Sequence, residues 1–225
     1  MTLQARGLSK RYGRGRTGTQ AVDGADFMAR PGEFVLIQGP SGSGKTTLLA
    51  MLAGLMTPDA GQLRLSGARM TGQSSAVLAN MRRQNVGFVF QDFRLLANLT
   101  ARENVEVALN LRGIGGRRAR RMAMDALSSV DLADRAHLLP DQLSGGEKQR
   151  VAIARAIAHR PKVVFADEPT ANLDTASGKR AASLLSAFTS RGGAVVVVSH
   201  DERLAVFADR IYKMADGRLR PAPGG

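Results

Sequence analysis

Four short runs of β-branched, aliphatic or aromatic residues stand out along the chain: Phe34-Val35-Leu36-Ile37, Val86-Gly87-Phe88-Val89-Phe90, Val163-Val164-Phe165-Ala166 and Ala194 to Val198. Continuous apolar runs of this length, bounded by turn residues, read as strands buried on both faces. Each is followed at once by polar or glycine-rich sequence: Gln38-Gly39-Pro40, Gln91-Asp92, Asp167-Glu168-Pro169 and Ser199-His200-Asp201. Open parallel sheets bind ligands beyond the carboxyl ends of their strands. Four strands ending in potential ligand residues therefore point to one shared site.

Between the second and third of these runs the pattern turns helical. Thr100-Ala101-Arg102-Glu103 is a capping box, in which hydroxyl and carboxylate each satisfy an amide at a helix start. It predicts a helix to about Leu111, broken by Gly113-Ile114-Gly115-Gly116. A second helix is expected from about Arg117 to Val130. A third begins at Ser144-Gly145-Gly146-Glu147, runs through Val151, Ala154 and Ala158, and is closed by Pro161. The first 35 residues and Gly61 to Met70 read as β-rich edges, and Asp216-Gly217 as a hairpin turn. No repeat or low-complexity linker interrupts the chain. The expectation is one α/β domain over 1–225, its core about 1–91 and 159–225, with an all-helical subdomain inserted at about 92–158.

Composition adds constraints. The 225 residues suffice for a proper core, and the apolar fraction is ordinary for a folded protein. Cysteine is absent, which excludes disulfides, thiolate metal sites and cysteine nucleophiles. The longest aliphatic run is too short to span a bilayer, and the first residues lack the apolar stretch of a signal peptide. A soluble, unexported chain is expected. The net charge of +13 suits an anionic partner such as nucleotide, nucleic acid or a membrane face, or else a solvated basic surface. Arginines gather in Lys10 to Arg16 and in Arg112 to Arg121.

The chemistry lies at the strand ends. Gly39-Pro40-Ser41-Gly42-Ser43-Gly44-Lys45-Thr46 is the phosphate-loop pattern GxxxxGK[ST], placed between a strand and a helix. Its glycines let backbone amides turn toward phosphate oxygens, Lys45 reaches the β- and γ-phosphates, and the Thr46 hydroxyl can ligate Mg²⁺. Thr47 completes the expected ATP-binding set. Asp167, at the end of an apolar strand, suits a Mg²⁺-holding carboxylate, and Glu168 suits polarisation of the attacking water. Such a pair alone often merely begins a solvated loop; beside a phosphate loop it gains force. A phosphate loop still leaves a kinase, a GTPase or a helicase open.

Leu143-Ser144-Gly145-Gly146-Glu147-Lys148-Gln149-Arg150 narrows the choice. Locally it is a capped helix, whose exposed amides make a ready phosphate site. Here the chain resembles the ABC ATPases, whose signature reads LSGGQ or LSGGE. The other motifs of that family follow in order. Tyr12 matches the aromatic residue that stacks on adenine, and Gln91 the glutamine that senses Mg²⁺ and the attacking water. Ala171-Asn172-Leu173-Asp174 matches the D-loop, and His200 the histidine that contacts the γ-phosphate.

The resemblance covers about Leu3 to Leu219 and implies a P-loop NTPase core of RecA-like type. It also implies a head-to-tail dimer with ATP and Mg²⁺ as ligands. Lys45, Thr46, Gln91 and Asp167 of one copy would face Ser144, Gly145, Gly146 and Glu147 of the other. Glu168 would serve as general base, aligned by His200. The stretches Val86 to Gln91, Leu95-Leu96, Leu99 to Val105 and Ala171 to Asp174 resemble the lipoprotein-release, macrolide-export and cell-division group, with departures at Ala97 and Asn110, where proline is frequent. That group implies a membrane permease as partner, with the chain held peripherally at the cytoplasmic face. Phe93, Leu95, Leu96 and Leu99 are the expected docking residues, or else part of the chain's own core. Two other readings are an ABC ATPase of iron–sulfur cluster assembly and a nucleic-acid-linked one. The latter is disfavoured by the lack of zinc modules, coiled-coil insertions or a second ATPase domain, and no nucleic-acid partner is expected.

Overall fold

The computed structural model describes residues 1–13 and 18–222; Arg14, Gly15 and Arg16 of the first basic run lie outside them. The strands are β1 (Leu3–Tyr12), β2 (Thr19–Ala29), β3 (Phe34–Gln38), β4 (Ala60–Leu65), β5 (Ala68–Arg69), β6 (Val86–Val89), β7 (Val163–Asp167), β8 (Ala194–Ser199), β9 (Arg210–Ala215) and β10 (Arg218–Pro221). The helices are α1 (Lys45–Leu52), α2 (Ser75–Asn85), α3 (Ala101–Asn110), α4 (Gly116–Ser128), α5 (Gly145–Ile157) and α6 (Thr175–Thr189).

Two sheets result. One is antiparallel, in the order β2-β1-β4-β5. The other has the order β10-β9-β3-β8-β7-β6, parallel except for β10, which closes a hairpin with β9. All four apolar runs lie side by side in this second sheet. Every residue of β3 and of β8 is buried, which is why these strands read as unbroken apolar runs rather than as alternating ones.

Because successive side chains point to opposite faces of a strand, the parallel sheet divides the core in two. Phe34, Leu36, Val164, Ala166, Val195 and Val197 pack with the helices α3 to α6. Val35, Ile37, Phe165, Val196 and Val198 pack with α1 and the antiparallel sheet. The helices between β6 and β7 thus share one apolar cluster with the underside of the sheet.

Both helix starts predicted by capping boxes are realised. Thr100 Oγ1 accepts from Glu103 N at 3.3 Å, and Glu103 Oε2 accepts from Thr100 N at 2.8 Å. Two helices had no clear sequence signal. In α2 no residue is fully buried, and only Leu78 and Met81 pack against the core, so its apolar stripe is short. The start of α6 is set by Asp174, whose Oδ1 accepts from the amides of Ala176 and Ser177, both at 3.0 Å. The turn at Asp216-Gly217 joins β9 to β10 with φ of 47° and 75°, the paired positive values that a tight hairpin turn requires.

Candidate active site

The phosphate loop leaves β3 at Gln38 and enters α1 at Lys45. It runs against the β9–β10 hairpin and β2: Gly217 N donates to Ser43 O at 3.1 Å, and Asp23 N donates to Gly217 O at 2.8 Å. This contact explains the glycine at 44. Its φ is 100°, and a Cβ there would lie 2.0 Å from the Ala21 carbonyl oxygen. Any side chain would push the loop off its support.

Lys45 is only 7% exposed. Its Nζ donates to the carbonyls of Gly39 and Pro40, both at 2.8 Å. An ammonium has three donors, so one remains for a ligand. The Ser43 hydroxyl is buried and has no partner. A loop with a buried cation, a spare donor and an orphaned hydroxyl is shaped for an anion.

The end of β7 brings both acidic groups up to it. Thr46 Oγ1 donates to Asp167 Oδ1 at 3.2 Å, so the first turn of α1 meets the end of β7. Burial raises the Asp167 pKa; the Thr46 hydrogen bond opposes this, the neighbouring Glu168 adds to it, and Lys45 and Arg94 offset part of it. A carboxylate whose charge is disfavoured by its surroundings is one that a divalent cation beside it would relieve.

Glu168 sits in the left-handed region at φ 44°, a costly conformation for a residue with a Cβ. Its surroundings hold it there. Glu168 N donates to Val198 O at 2.9 Å, and its Oε2 accepts from Ser199 Oγ at 2.7 Å. His200 Nδ1 lies 3.1 Å from its Oε1. Ser199 is fully buried and also accepts from Asp201 N at 3.1 Å. Asp201 in turn accepts from Thr170 Oγ1 at 2.8 Å, tying the end of β8 to the loop after β7.

These elements enclose a cleft of about 790 Å³, lined among others by Ser41, Gly42, Gly44, Lys45, Thr46, Thr47, Gln91, Glu168 and His200. Its further wall was not foreseen: Thr19, Gln20 and Ala21 of β2 with Asp216 and Gly217 of the hairpin. The only trace of that wall in the sequence was the hairpin signal itself. Tyr12 stands beside the cleft rather than in its lining. It is 44% exposed, with its hydroxyl 3.5 Å from Thr47 Oγ1 and 3.2 Å from Met56 Sδ.

The residues Ser144 to Glu147 are not in the cleft. They form the start of α5, where Ser144 N and Oγ donate to Glu147 Oε2 at 2.9 and 2.8 Å. The Ser144 amide and hydroxyl hold the Glu147 carboxyl below its usual range, and Arg135 and Arg150 assist. This helix end packs on the D-loop and α6: a Cβ on Gly146 would come 2.7 Å from Ser177 Oγ. Farther along α5, the buried Gln149 donates to Pro169 O at 2.7 Å, linking this helix to the residue that follows Glu168.

The segment after Gln91 also differs in detail from expectation. Of the four apolar residues, Leu95 packs against the core, Phe93 and Leu99 are half-buried, and Leu96 is 49% exposed. Asn104, unnoticed in the sequence, is fully buried and clips the segment. It accepts from Leu96 N at 2.7 Å and donates to the carbonyls of Leu96, Leu99 and Thr100. Arg155 holds the other end through the carbonyls of Phe93 and Arg94, two residues with positive φ.

A parallel sheet with a glycine loop, lysine and hydroxyl at one strand end and paired carboxylates at another defines a P-loop nucleotide-binding domain. The comparisons with known proteins are more specific. The ABC transporter family model matches residues 22–171. An uncharacterized ABC transporter ATP-binding protein of Methanocaldococcus jannaschii is 43% identical over 217 residues, covering 96% of this chain and 97% of that one. The macrolide export ATP-binding/permease protein MacB of Azoarcus sp. is 38% identical over 222 residues; the match covers 99% of this chain but 34% of MacB. In structure, the chain superposes with a TM-score of 0.90 and 37% identity on the ATP-binding cassette MJ0796. That structure is a dimer in a post-hydrolysis state bound to ADP and Pi, and the match covers 98% of this chain and 97% of that one. The chain belongs to the ABC transporter family, and it is an ATP-binding, ATP-hydrolysing cassette.

Proposed function

We propose that this cassette hydrolyses ATP between two copies arranged head to tail and uses the closing and opening of that pair to drive a membrane permease of the macrolide-export or lipoprotein-release kind. One observation carries the reading. The cleft of a single chain offers Lys45, Thr46, Glu168 and His200, with Asp167 bonded to Thr46, yet the helix end at Ser144 to Gly146 lies outside it and is capped by its own residues. A second copy supplies that helix end to the open side of the cleft. The dimeric state of the matched cassette MJ0796 and the fused permease in the name of MacB support the same reading.

Within the cleft, Lys45 and the loop amides bind the β- and γ-phosphates, with Ser41 and Gly42 on the rim and the Ser43 hydroxyl available inside. Tyr12 takes one face of the adenine. Thr46 and Asp167, adjoining oxygens from α1 and β7, are the residues that would hold Mg²⁺, together with Gln91 of the same cleft; bound there, the ion would neutralise charge on the phosphates. Glu168 accepts a proton from the attacking water. His200, on the same carboxylate, fixes its orientation, and the Ser199 hydroxyl holds the second oxygen. Asp174, capping α6 beneath the signature, keeps that helix end and the D-loop in register.

Among the described residues no helix is long and apolar enough to cross a membrane. The segment from Gln91 to Val105 connects the cleft to α3 and is the route by which the proposed output reaches the permease. Leu96, exposed at the centre of that segment, is the docking residue. Co-expression with the permease encoded nearest to this chain, followed by affinity purification in detergent, tests the proposal. Wild type is retained with the permease; Leu96→Asp is lost from it while still binding ATP. Retention of Leu96→Asp at the wild-type level would place docking elsewhere, and no retention of wild type would reject the transporter role.

A further inference from the structure

Four of the five arginines of the second basic run share one helix face in the folded chain. Arg117, Arg118, Arg120 and Arg121 occupy the first half of α4, and all four are exposed. At 3.6 residues per turn they fan over roughly 160° of the helix. Ala119, Ala123, Ala126 and Leu127 fill the buried side. Among the described residues none of the four has an ion pair or a side-chain hydrogen bond. Asp125, one turn beyond Arg121, is exposed and makes no ion pair with them.

This arrangement opposes helix stability. The start of α4 has neither a side-chain cap nor an acidic residue in its first turn, and cations there work against the helix dipole. Local chemistry that conflicts with the fold marks a place where another requirement is being met. The turn before the helix is also firmly placed. Arg83 Nη1 donates to Leu111 O at 3.4 Å, and Arg112 Nη1 donates to His159 O. At the start of this braced turn Leu111 is 63% exposed, while Ile114 is half-buried against the core.

We infer that the turn Leu111–Gly116 and the arginine face of α4 form a membrane-contact surface for anionic phospholipid, auxiliary to permease docking. This deepens the proposed function and rests on it for bringing the chain close to a bilayer. Four unpaired guanidinium groups on a convex face match a plane of phosphate headgroups, each forming bidentate charge-assisted hydrogen bonds. Leu111 suits the acyl boundary just beneath. A nucleic-acid duplex would use the arginines but has no place for the leucine, and α4 carries no aromatic residue on which bases could stack.

Flotation of the purified full chain with phosphatidylcholine vesicles, with and without phosphatidylglycerol, tests this without any permease. Binding is expected only to the anionic vesicles, and high salt releases it. Each basic residue near such a surface is worth roughly fivefold in partitioning. Joint replacement of Arg117, Arg118, Arg120 and Arg121 by Glu therefore lowers it by at least about a hundredfold, with ATP hydrolysis unchanged.

A control variant carries the same four charge reversals at Arg6, Arg69, Arg191 and Arg220; equal loss in that variant would overturn the proposal in favour of net charge. The chain contains no tryptophan, so Leu111→Trp reports on the turn alone. Its emission shifts to the blue and is quenched by brominated anionic lipid; no shift on vesicles to which the protein is bound would remove Leu111 from the contact. Binding of a DNA duplex through the same four arginines, with no binding to vesicles, would make this a nucleic-acid surface and reject the membrane. Failure here leaves permease retention through Leu96 intact, so the two proposals fail separately.

Discussion

Two glycine-rich helix starts in this chain look alike in sequence and differ in what the fold does with them. The start of α1 has Gly44 at its cap with no side-chain hydrogen bond. Its charge partner is a buried lysine held by the loop carbonyls. The start of α5 is closed by its own Ser144 and Glu147 and lies outside the cleft. The first lines the cleft of its own chain. The second is a helix end whose Ser144 and Glu147 amides are satisfied by its own capping box; in the proposed dimer it is the Gly145 and Gly146 amides that reach a neighbour's phosphate.

The largest test of this division is Glu168→Gln. General base catalysis contributes typically 10²–10⁴-fold, so turnover should fall by about two orders of magnitude or more while ATP affinity is kept. The variant should accumulate as an ATP-bound dimer in light scattering; an active variant would move the base elsewhere. Lys45→Ala acts on the one-chain site. A hydrogen bond to a charged group is worth about 1.5–3 kcal/mol, so ATP affinity should fall by roughly one to two orders of magnitude in titration calorimetry, in monomer and dimer alike.

Tyr12→Ala should weaken ATP binding by about tenfold or more, since base–aromatic stacking is worth roughly 1–3 kcal/mol. Tyr12→Phe keeps the ring and should be nearly silent; unchanged affinity in the alanine variant would leave Tyr12 as packing against Met56. Ser144→Ala sharpens the contrast from the other side. Loss of the cap should cost about 1 kcal/mol of stability and weaken the ATP-bound dimer, with nucleotide affinity of the monomer unaltered. An equal loss of monomer affinity would break the comparison.

The smallest expected effect is a pH dependence. Arg203 draws the Asp201 pKa down to about 2, with further help from the Thr170 hydroxyl and against a desolvation penalty. A carboxyl depressed in the folded state stabilises it above the unfolded value, about 3.9, and that stability is lost as pH falls through about 2. Thermal melts of Asp201→Asn should therefore lie below wild type at neutral pH and converge with it as the solution is acidified toward pH 2.

Much of the site was legible because its signals are short-range. The phosphate loop, the Asp167-Glu168 pair and the Ser144 cap each occupy a few consecutive residues whose backbone geometry their side chains dictate. The helix α2 was invisible because it buries little, only parts of Leu78 and Met81, and α6 because Asp174 was read for its motif rather than as a cap. Leu95 and Leu96 are adjacent and equally apolar. Only the clip made by Asn104 and the packing beneath it turn the first inward and leave the second exposed. Asn104 itself reads as an ordinary polar residue within a helix.

By itself the sequence determined the local chemistry of this protein: where strands run unbroken, where helices begin and which loop can wrap a phosphate. Those follow from periodicity, capping and glycine's access to positive φ, all decided within a few residues. The tertiary structure alone decided which distant pieces share a wall. It set β2 and the β9–β10 hairpin against the phosphate loop, joined Ser199 and His200 to Glu168, turned the signature helix away from its own cleft and gathered four unpaired arginines on one face of α4. These depend on strand order and on packing between residues far apart in the chain, and no local pattern encodes that geometry.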